Sequence, residues 1–573
     1  MYKQSNTDKQ LDLFSSIPGQ LSGKSKDIFD DPLNWHNVFR SQYYLKIDES
    51  IFSVLYNTKM GCPNSPVNTL ISMMILKEGF GWSDERLFEE IRFNALVRAA
   101  LGIYDLSEAI PSESTYYLFR SRILTYEEKE GIDLISKVFE QLTQDHVVSF
   151  NVRGAQVRMD SKIFGGNLAR LSRFGLVHKT AQLFCKELSD RQIASLPIKL
   201  QDFVVSLLDQ EQEKIIYKST SEEIGKKLQW LGSNICQLLT ILHDLNTQSY
   251  STLSQVFSEQ FNVKKEEGVE PKIKEELKAS NIQTPFDTDA DYRKKGDTVV
   301  YAGYSANATE TCSADKDGLD LITAPEVKPA TAADNDFYQS GIEKTEQVTI
   351  EMADKVFTDG AYHSQENKKY NDDNDIDQVL TGLQGAEGRY SFEMSDADKN
   401  LIVTDKETKE TYQATLTKKG KSYRFVNNEG KTCYINKQQV ENFFFREQME
   451  SRDWEEKKKR NNVEATIFQL FYFTRNNKIR YRGIEKTKIW LFMRSLWVNC
   501  VRIKNYLTKR TINGTSNKSQ YASFCTYSFL LHSIINNIIL YFFDTFLRIQ
   551  YREISRQFVF MHKISCSRGD IKN

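Results

Sequence analysis

Asp160, Asp359 and Glu464 are the residues of this 573-residue chain whose types and settings could do chemistry together. Asp359 stops a short apolar run, Lys355-Val356-Phe357, inside FTDGAYHSQEN (357–367). Open α/β sheets place ligands and acid/base groups at the carboxyl ends of their strands. Asp-Gly is also the commonest short turn signal, so a simple turn stays open for Asp359 taken alone. Asp160 lies inside GAQVRMDSKIF (154–164), where apolar and polar residues alternate at the strand period. Glu464 opens the apolar helical run VEATIFQLFYF, where a lone Glu reads as a partner of the helix dipole. Converging on one point, three such oxygen donors would suit hard divalent cations, and two ions ~3.5–4 Å apart support in-line phosphoryl transfer. Paired carboxylates also serve glycoside hydrolysis.

Charge favours a phosphate polymer over a sugar. The net charge is −1, but residues 451–510 carry 16 Lys and Arg against 5 Asp and Glu, whereas 281–380 is acidic. A basic block of that kind suits a polyanion. The eight cysteines, at 62, 185, 236, 312, 433, 500, 525 and 566, form no C-x-x-C pair and no Cys/His cluster at zinc spacing, so neither a disulfide framework nor a structural zinc is expected. MYKQSNTDKQ lacks an apolar signal core, which points to a cytoplasmic protein. The stretch YSFLLHSIINNIILYFFDTFLRI (527–549) is long enough to span a bilayer, but His532, Asn536, Asn537 and Asp544 interrupt it. An apolar helix docked on protein is the expectation there, and no membrane.

The elements that must position the acids can be read from periodicity. Residues 66–103 predict a helical hairpin turned at Gly79-Phe80-Gly81 with Ser83 as a cap. PSESTYYLFRSRIL (111–124) starts a helix at Pro111, Ser112 and Ser114; its Arg120 and Arg122 could enter a DNA groove or be ordinary solvated cations. Residues 165–275 return to helical spacing and read as an insertion after the Asp160 strand. Then 297–312 and 318–327 predict strands, 336–355 a helix, and Asp359 ends the next strand. Residues 376–440 read as short strands joined by turns, a small β insertion. The order strand, strand, strand, helix, strand matches the ribonuclease H-like core, whose first and fourth strands carry an Asp each.

The segments VRMDSKIFGGNLARLSRFGLV, FTDGAYHS, and EATIFQ followed by IRYRGIEKTKIWLFMRSLWVNCVRI (479–503), with the N-terminal SPVNTLISMMILKEGFGWSDERLFEEIRFN, resemble the DDE transposases of bacterial insertion sequences. The resemblance runs over about residues 25–505. It implies an α/β fold: a helical N-terminal DNA-binding domain over 1–150, then an RNase H-like catalytic domain over 151–510 with a mixed sheet, a helical insertion at about 165–275 and a β insertion at about 376–440. An atypical tail, 511–573, completes the chain. Asp160, Asp359 and Glu464 would bind Mg2+ or Mn2+, two ions, and the enzyme would cut transposon ends with water and join the freed 3′-hydroxyl to target DNA. Double-stranded DNA, as terminal inverted repeats and as target, is the implied partner, with a homodimer in the active complex, near the bacterial nucleoid.

Relatives of this kind often carry a Tyr seven before the final Glu, an Arg four before and a Lys seven after. Here those positions hold Lys457, Arg460 and Phe471, so only Arg460 matches. Arg475, eleven residues after Glu464, would return to the same helix face if the helix continues, and could supply a phosphate contact. Arg480, Arg482, Lys486 and Lys488 would line the path of DNA, with Trp490 and Trp497 toward the core; the alternative is a solvated basic face. Two other functions stay open: a non-transposing nuclease of the same fold, and a catalytically inactive DNA-binding remnant that represses its relatives.

Overall fold

The computed structural model describes residues 1–5, 16–57, 61–168, 171–209, 215–216, 219–264, 268–295, 299–315, 317–382, 388–394 and 401–513. The N-terminal region is helical because its sequence supplies both apolar stripes and stops. Helix α1 (Val67–Phe80) is buried on every side from Val67 to Gly79, its polar Lys77 and Glu78 included, and it ends on Gly81 at φ 68°. Ser83 then accepts from the Arg86 amide to start α2 (Asp84–Phe93). Ser112 starts α3 (Glu113–Glu130) and Asp133 starts α4 (Leu134–Phe150), each by accepting backbone amides of the first turn. The hairpin and its caps agree with the sequence reading.

The helical region packs into one body with the sheet-bearing part of the chain. Met1–Lys504 form one compact unit and Asn505–Asn573 a second. Helix α7 (Ile484–Asn513) explains the first of these within its residues up to 504: a Cβ at Gly79 would land inside the Trp497 indole, and Trp497 also meets Phe80 and Trp35. Arg494 donates to the Glu78 and Gly79 carbonyls, both at 2.8 Å, which ties α7 to the end of α1. After residue 150 helix gives way to strand within that unit.

The main sheet is mixed. Its strands are β1 (Gln156–Gly165), β2 (Asp291–Lys295), β3 (Val299–Thr311), β4 (Ile322–Pro329), β5 (Lys355–Thr358) and β6 (Asp377–Leu380). Across the sheet the order is β2-β3-β1-β5-β6, with β4 paired to the outer side of β3. β1 runs antiparallel to β3 and parallel to β5, and β5 runs parallel to β6. Helix α5 (Tyr338–Thr349) supplies the crossover from β4 to β5 and helps bury Val157, Met159, Ile342 and Val356 in one core. The chain is thus α/β, with a helical N-terminal region and a mixed sheet.

Two differences from the sequence reading concern strands. β2, Asp-Tyr-Arg-Lys-Lys, is a polar edge strand with no apolar alternation to announce it. Residues 377–380 belong to the main sheet as β6 rather than to the β insertion, because their pairing partner is β5. The insertion proper is a five-stranded antiparallel meander: β7 (Tyr390–Met394), β8 (Leu401–Asp405), β9 (Thr411–Leu416), β10 (Ser422–Val426) and β11 (Thr432–Asn436). Between β1 and β2 the chain is mainly helical. Helices Arg173–Glu187, Ile198–Asp209, Ser221–Ile241 and Gln248–Gln260 enclose a separate core around Phe184, Phe203, Leu231 and Val256. The stretch 527–549 and the thiols of Cys525 and Cys566 lie outside the described residues. Among the described residues, no helix is long and apolar enough to cross a membrane, and six cysteines are free thiols.

Candidate active site

The face of β1 that carries Asp160 sets the site. Arg158 pairs with Phe357 of β5, and Asp160 and Asp359 each lie two residues beyond that pair, Asp160 in the middle of β1 and Asp359 just past the end of the parallel β5. Asp359 caps the short turn Gly360–Tyr362, accepting from the Ala361 amide at 2.9 Å, as the turn reading expects. Helix α6 (Asn461–Leu470) crosses β1 and brings Glu464 in its first turn. Arg460, one turn before Glu464, reaches all three acids. Its Nη2 lies 3.1 Å from Asp160 Oδ1 and 3.8 Å from Asp359 Oδ2, and its Nη1 lies 2.8 Å from Glu464 Oε1.

Three carboxylates against one guanidinium leave a net charge of −2. The side chains are 15% exposed for Asp160, 33% for Asp359 and 58% for Glu464, so the cluster opens to solvent on the helix side. Burial pushes the Asp160 carboxyl up to about 6; Arg460 opposes this and Asp359 adds to it. Among the described residues no three acids stand as a ready cage for a metal ion, since the guanidinium fills the space between these. In kind the donors suit a hard divalent cation: all are carboxylate oxygens, and their charge is not balanced by protein.

One step down the same strand face is a second charged cluster that the sequence did not reveal. Arg158 meets Glu310 at 2.5 Å and Asp320 at 2.8 Å; Arg502 meets the other Glu310 oxygen at 2.8 Å. Thr466, two residues after Glu464, donates to Glu310 at 2.7 Å and so fastens α6 to the sheet. Arg502 and Arg158 hold the Glu310 carboxyl below its ordinary range against the effect of full burial.

The cations expected to meet DNA separate into two groups. Arg480 donates to the Gly81 carbonyl at 2.9 Å and to that of Trp82, closing the end of α1. Arg120 stacks over Tyr116 at 5.5 Å and Tyr481 at 5.9 Å, 3.9 Å from Asp84. Lys488 lies between Glu485 at 2.9 Å and Glu127 at 3.7 Å. Those three are occupied within the fold. Arg122, Arg482 and Lys486 are exposed, Arg122 over the Tyr56 ring at 5.3 Å and Arg482 donating to the Asn167 carbonyl at 2.8 Å. Arg475 does not share a helix face with Glu464. The helix stops at Leu470, and Asn476 and Asn477, at φ 53° and 52°, turn the chain so that Arg475 bridges to Lys478. Trp490 is buried against Phe164 and Phe471, as expected of a core residue.

Residues 34–122 match a family model described as "Transposase domain (DUF772)". No curated protein and no solved structure matches the chain. The family match covers α1, α2 and the first half of α3, and it supports a transposase and, with it, DNA as the partner.

Proposed function

We propose that the chain is a DDE transposase of an insertion sequence, which cuts the ends of its element and joins them to target DNA by metal-assisted phosphoryl transfer. The observation that carries this reading is the gathering of Asp160, Asp359 and Glu464, from a strand, a strand end and a helix, around Arg460 with a net charge of −2. The strand order β4-β3-β1-β5-β6, two antiparallel and then two parallel pairings, supports an RNase H-like sheet. The family match at 34–122 supports the transposase assignment from the other end of the chain.

The three acids would hold Mg2+ or Mn2+, two ions in the full site, which lower the pKa of the attacking oxygen and stabilise the leaving 3′-oxygen. The rest of the work falls to the chain. β1 and β5 fix two carboxylates at one level, and Thr466 pins α6 so that Glu464 stays opposite them. Arg460 holds the acids together before substrate arrives and presents a planar donor to a phosphate once they are neutralised. No protein nucleophile is required, so water and a 3′-hydroxyl can use the same site in turn.

The test is strand cleavage of duplex DNA carrying the sequences that flank the coding region. Asp160→Asn, Asp359→Asn and Glu464→Gln each abolish cleavage while end binding is retained, and Ca2+ supports little or none of the Mg2+ reaction. Wild-type cleavage by any one variant removes that residue from the site; full activity in chelator overturns the metal chemistry.

A further inference from the structure

Residues 158, 160, 162 and 164 of β1 point to one face, and each has a distinct neighbour across it. Arg158 is closed by Glu310 and Asp320, Asp160 meets Arg460, and Phe164 packs on Phe471 and Trp490. Lys162 is the odd member. Its Nζ sits 4.7 Å over the Phe471 ring, it is half-buried, and it forms no ion pair among the described residues. The arginines of the same face, Arg158, Arg460 and Arg502, all meet carboxylates.

A partly desolvated ammonium on an aromatic ring, without an acid, is a cation waiting for an anion. Its distance along the strand from Asp160 is two residues, ~7 Å, about one phosphate spacing of a nucleic-acid backbone. The acids beside it repel a phosphodiester, so a polyanion drawn to that point needs a fixed positive contact next to them. Phe471, the residue that ends α6, keeps the ammonium at that height by lying under it.

We propose that Lys162 is a DNA-backbone contact of this site: its ammonium, held over Phe471, binds the phosphodiester adjoining the one that reaches Asp160, Asp359 and Glu464. This rests on the reading of the three acids as a phosphoryl-transfer centre. Lys162 positions the strand and does not itself touch the reacting atoms.

The experiment measures affinity for a duplex of the flanking sequence, and for an unrelated duplex of equal length, as a function of salt in the full chain. Lys162→Met lowers the slope of log affinity against log salt by about 0.9 on both duplexes, and Lys162→Arg restores it. In Mg2+, Lys162→Met cleaves about tenfold more slowly, the scale of one charge-assisted contact. Its thermal midpoint stays level or rises, since a half-buried unpaired charge has been removed. Lys162→Gln gives the same readings should the methionine variant not fold. An unchanged salt slope, or a fall in thermal midpoint with an unchanged slope, overturns the proposal and makes Lys162 a packing residue. The two ideas separate in the same assay: Asp160→Asn cleaving at the wild-type rate, with the Lys162→Met slope still reduced, overturns the catalytic reading and leaves the phosphate contact standing. A wild-type chain with no salt-dependent affinity for either duplex overturns both.

Discussion

Two charged clusters share one face of β1, and they are built to opposite ends. Around Glu310, two arginines meet two acids, Thr466 donates to the same Glu310 oxygen as Arg502, and Glu310 is fully buried. Two residues along, one arginine meets three acids, and the cluster is open on the Glu464 side. The first is neutral and closed, which is how a fold retains buried charge. The second carries −2 that the protein leaves uncompensated. Glu310, with Thr466 and Arg502, already fastens α6 and α7 to the sheet, so the uncompensated acids around Asp160 are not needed for that.

The largest effect should come from breaking the closed cluster. Glu310→Gln leaves the buried Arg158 with Asp320 alone and takes the carboxylate partner from the half-buried Arg502, and should cost about 3 kcal/mol of stability, read as a shift of the urea midpoint. Asp160→Asn, on the same strand face, should leave the midpoint level or raise it. Equal losses at both positions would erase the distinction.

Acid sharpens the contrast, because the two groups are shifted in opposite directions. Asp160, raised to about 6 in the fold from near 3.9 unfolded, keeps more protons in the native state across that window, so its contribution makes stability rise as pH falls from 7 toward 4. Glu310 is depressed, so its contribution is full above the unfolded value near 4.3 and is lost only below it. In chelator, Asp160→Asn should therefore remove a component on the order of 2–3 kcal/mol between about pH 6 and pH 4. A variant with the wild-type pH profile would show that Asp160 is not a carboxyl raised by its burial.

Arg460→Ala should come next in size. It raises the open cluster from −2 to −3, so thermal stability in chelator falls and the stabilisation gained on adding Mg2+ grows, by the linkage of binding to folding. Loss of stability without greater Mg2+ response would mean that Arg460 serves the fold alone.

The smallest effect compares two basic residues two apart. Arg480→Ala should cost about 1 kcal/mol of stability, because its guanidinium closes the carbonyl end of α1, and should leave the salt slope of DNA binding unchanged. Arg482→Ala, which also loses a bond to the Asn167 carbonyl, should differ by flattening the slope by about 0.9. Matching behaviour would return both to one basic surface.

How much of the molecule is legible in its sequence depends on how local each signal is. The β1 strand and Asp160 are legible from alternation, and Asp359 from an apolar run that stops at Asp-Gly. Arg460 is legible only through its spacing to Glu464. The Arg158–Glu310 pair is not, since its partners are 152 residues apart and an inward Arg on a strand reads as an outward polar position. Strand β2 gives no signal because an edge strand of Asp, Tyr, Arg and Lys has no buried face to pattern. The end of α6 is ambiguous: FQLFYF continues the apolar run past Leu470, and only Asn476-Asn477 marks the turn. Whether a cation such as Arg480 faces carbonyls or solvent depends on where α1 ends in space, which no window around residue 480 contains.

The central claim is that Asp160, Asp359 and Glu464 form one cation-demanding centre. Electron paramagnetic resonance of Mn2+ titrated into the protein without DNA tests it most directly. Bound Mn2+ in the wild type, weakened about tenfold or more by each of Asp160→Asn, Asp359→Asn and Glu464→Gln and unaffected by Asp354→Asn, at the acid just before the opposite end of β5, is the result expected. Equal Mn2+ binding by the wild type and all three variants would contradict it.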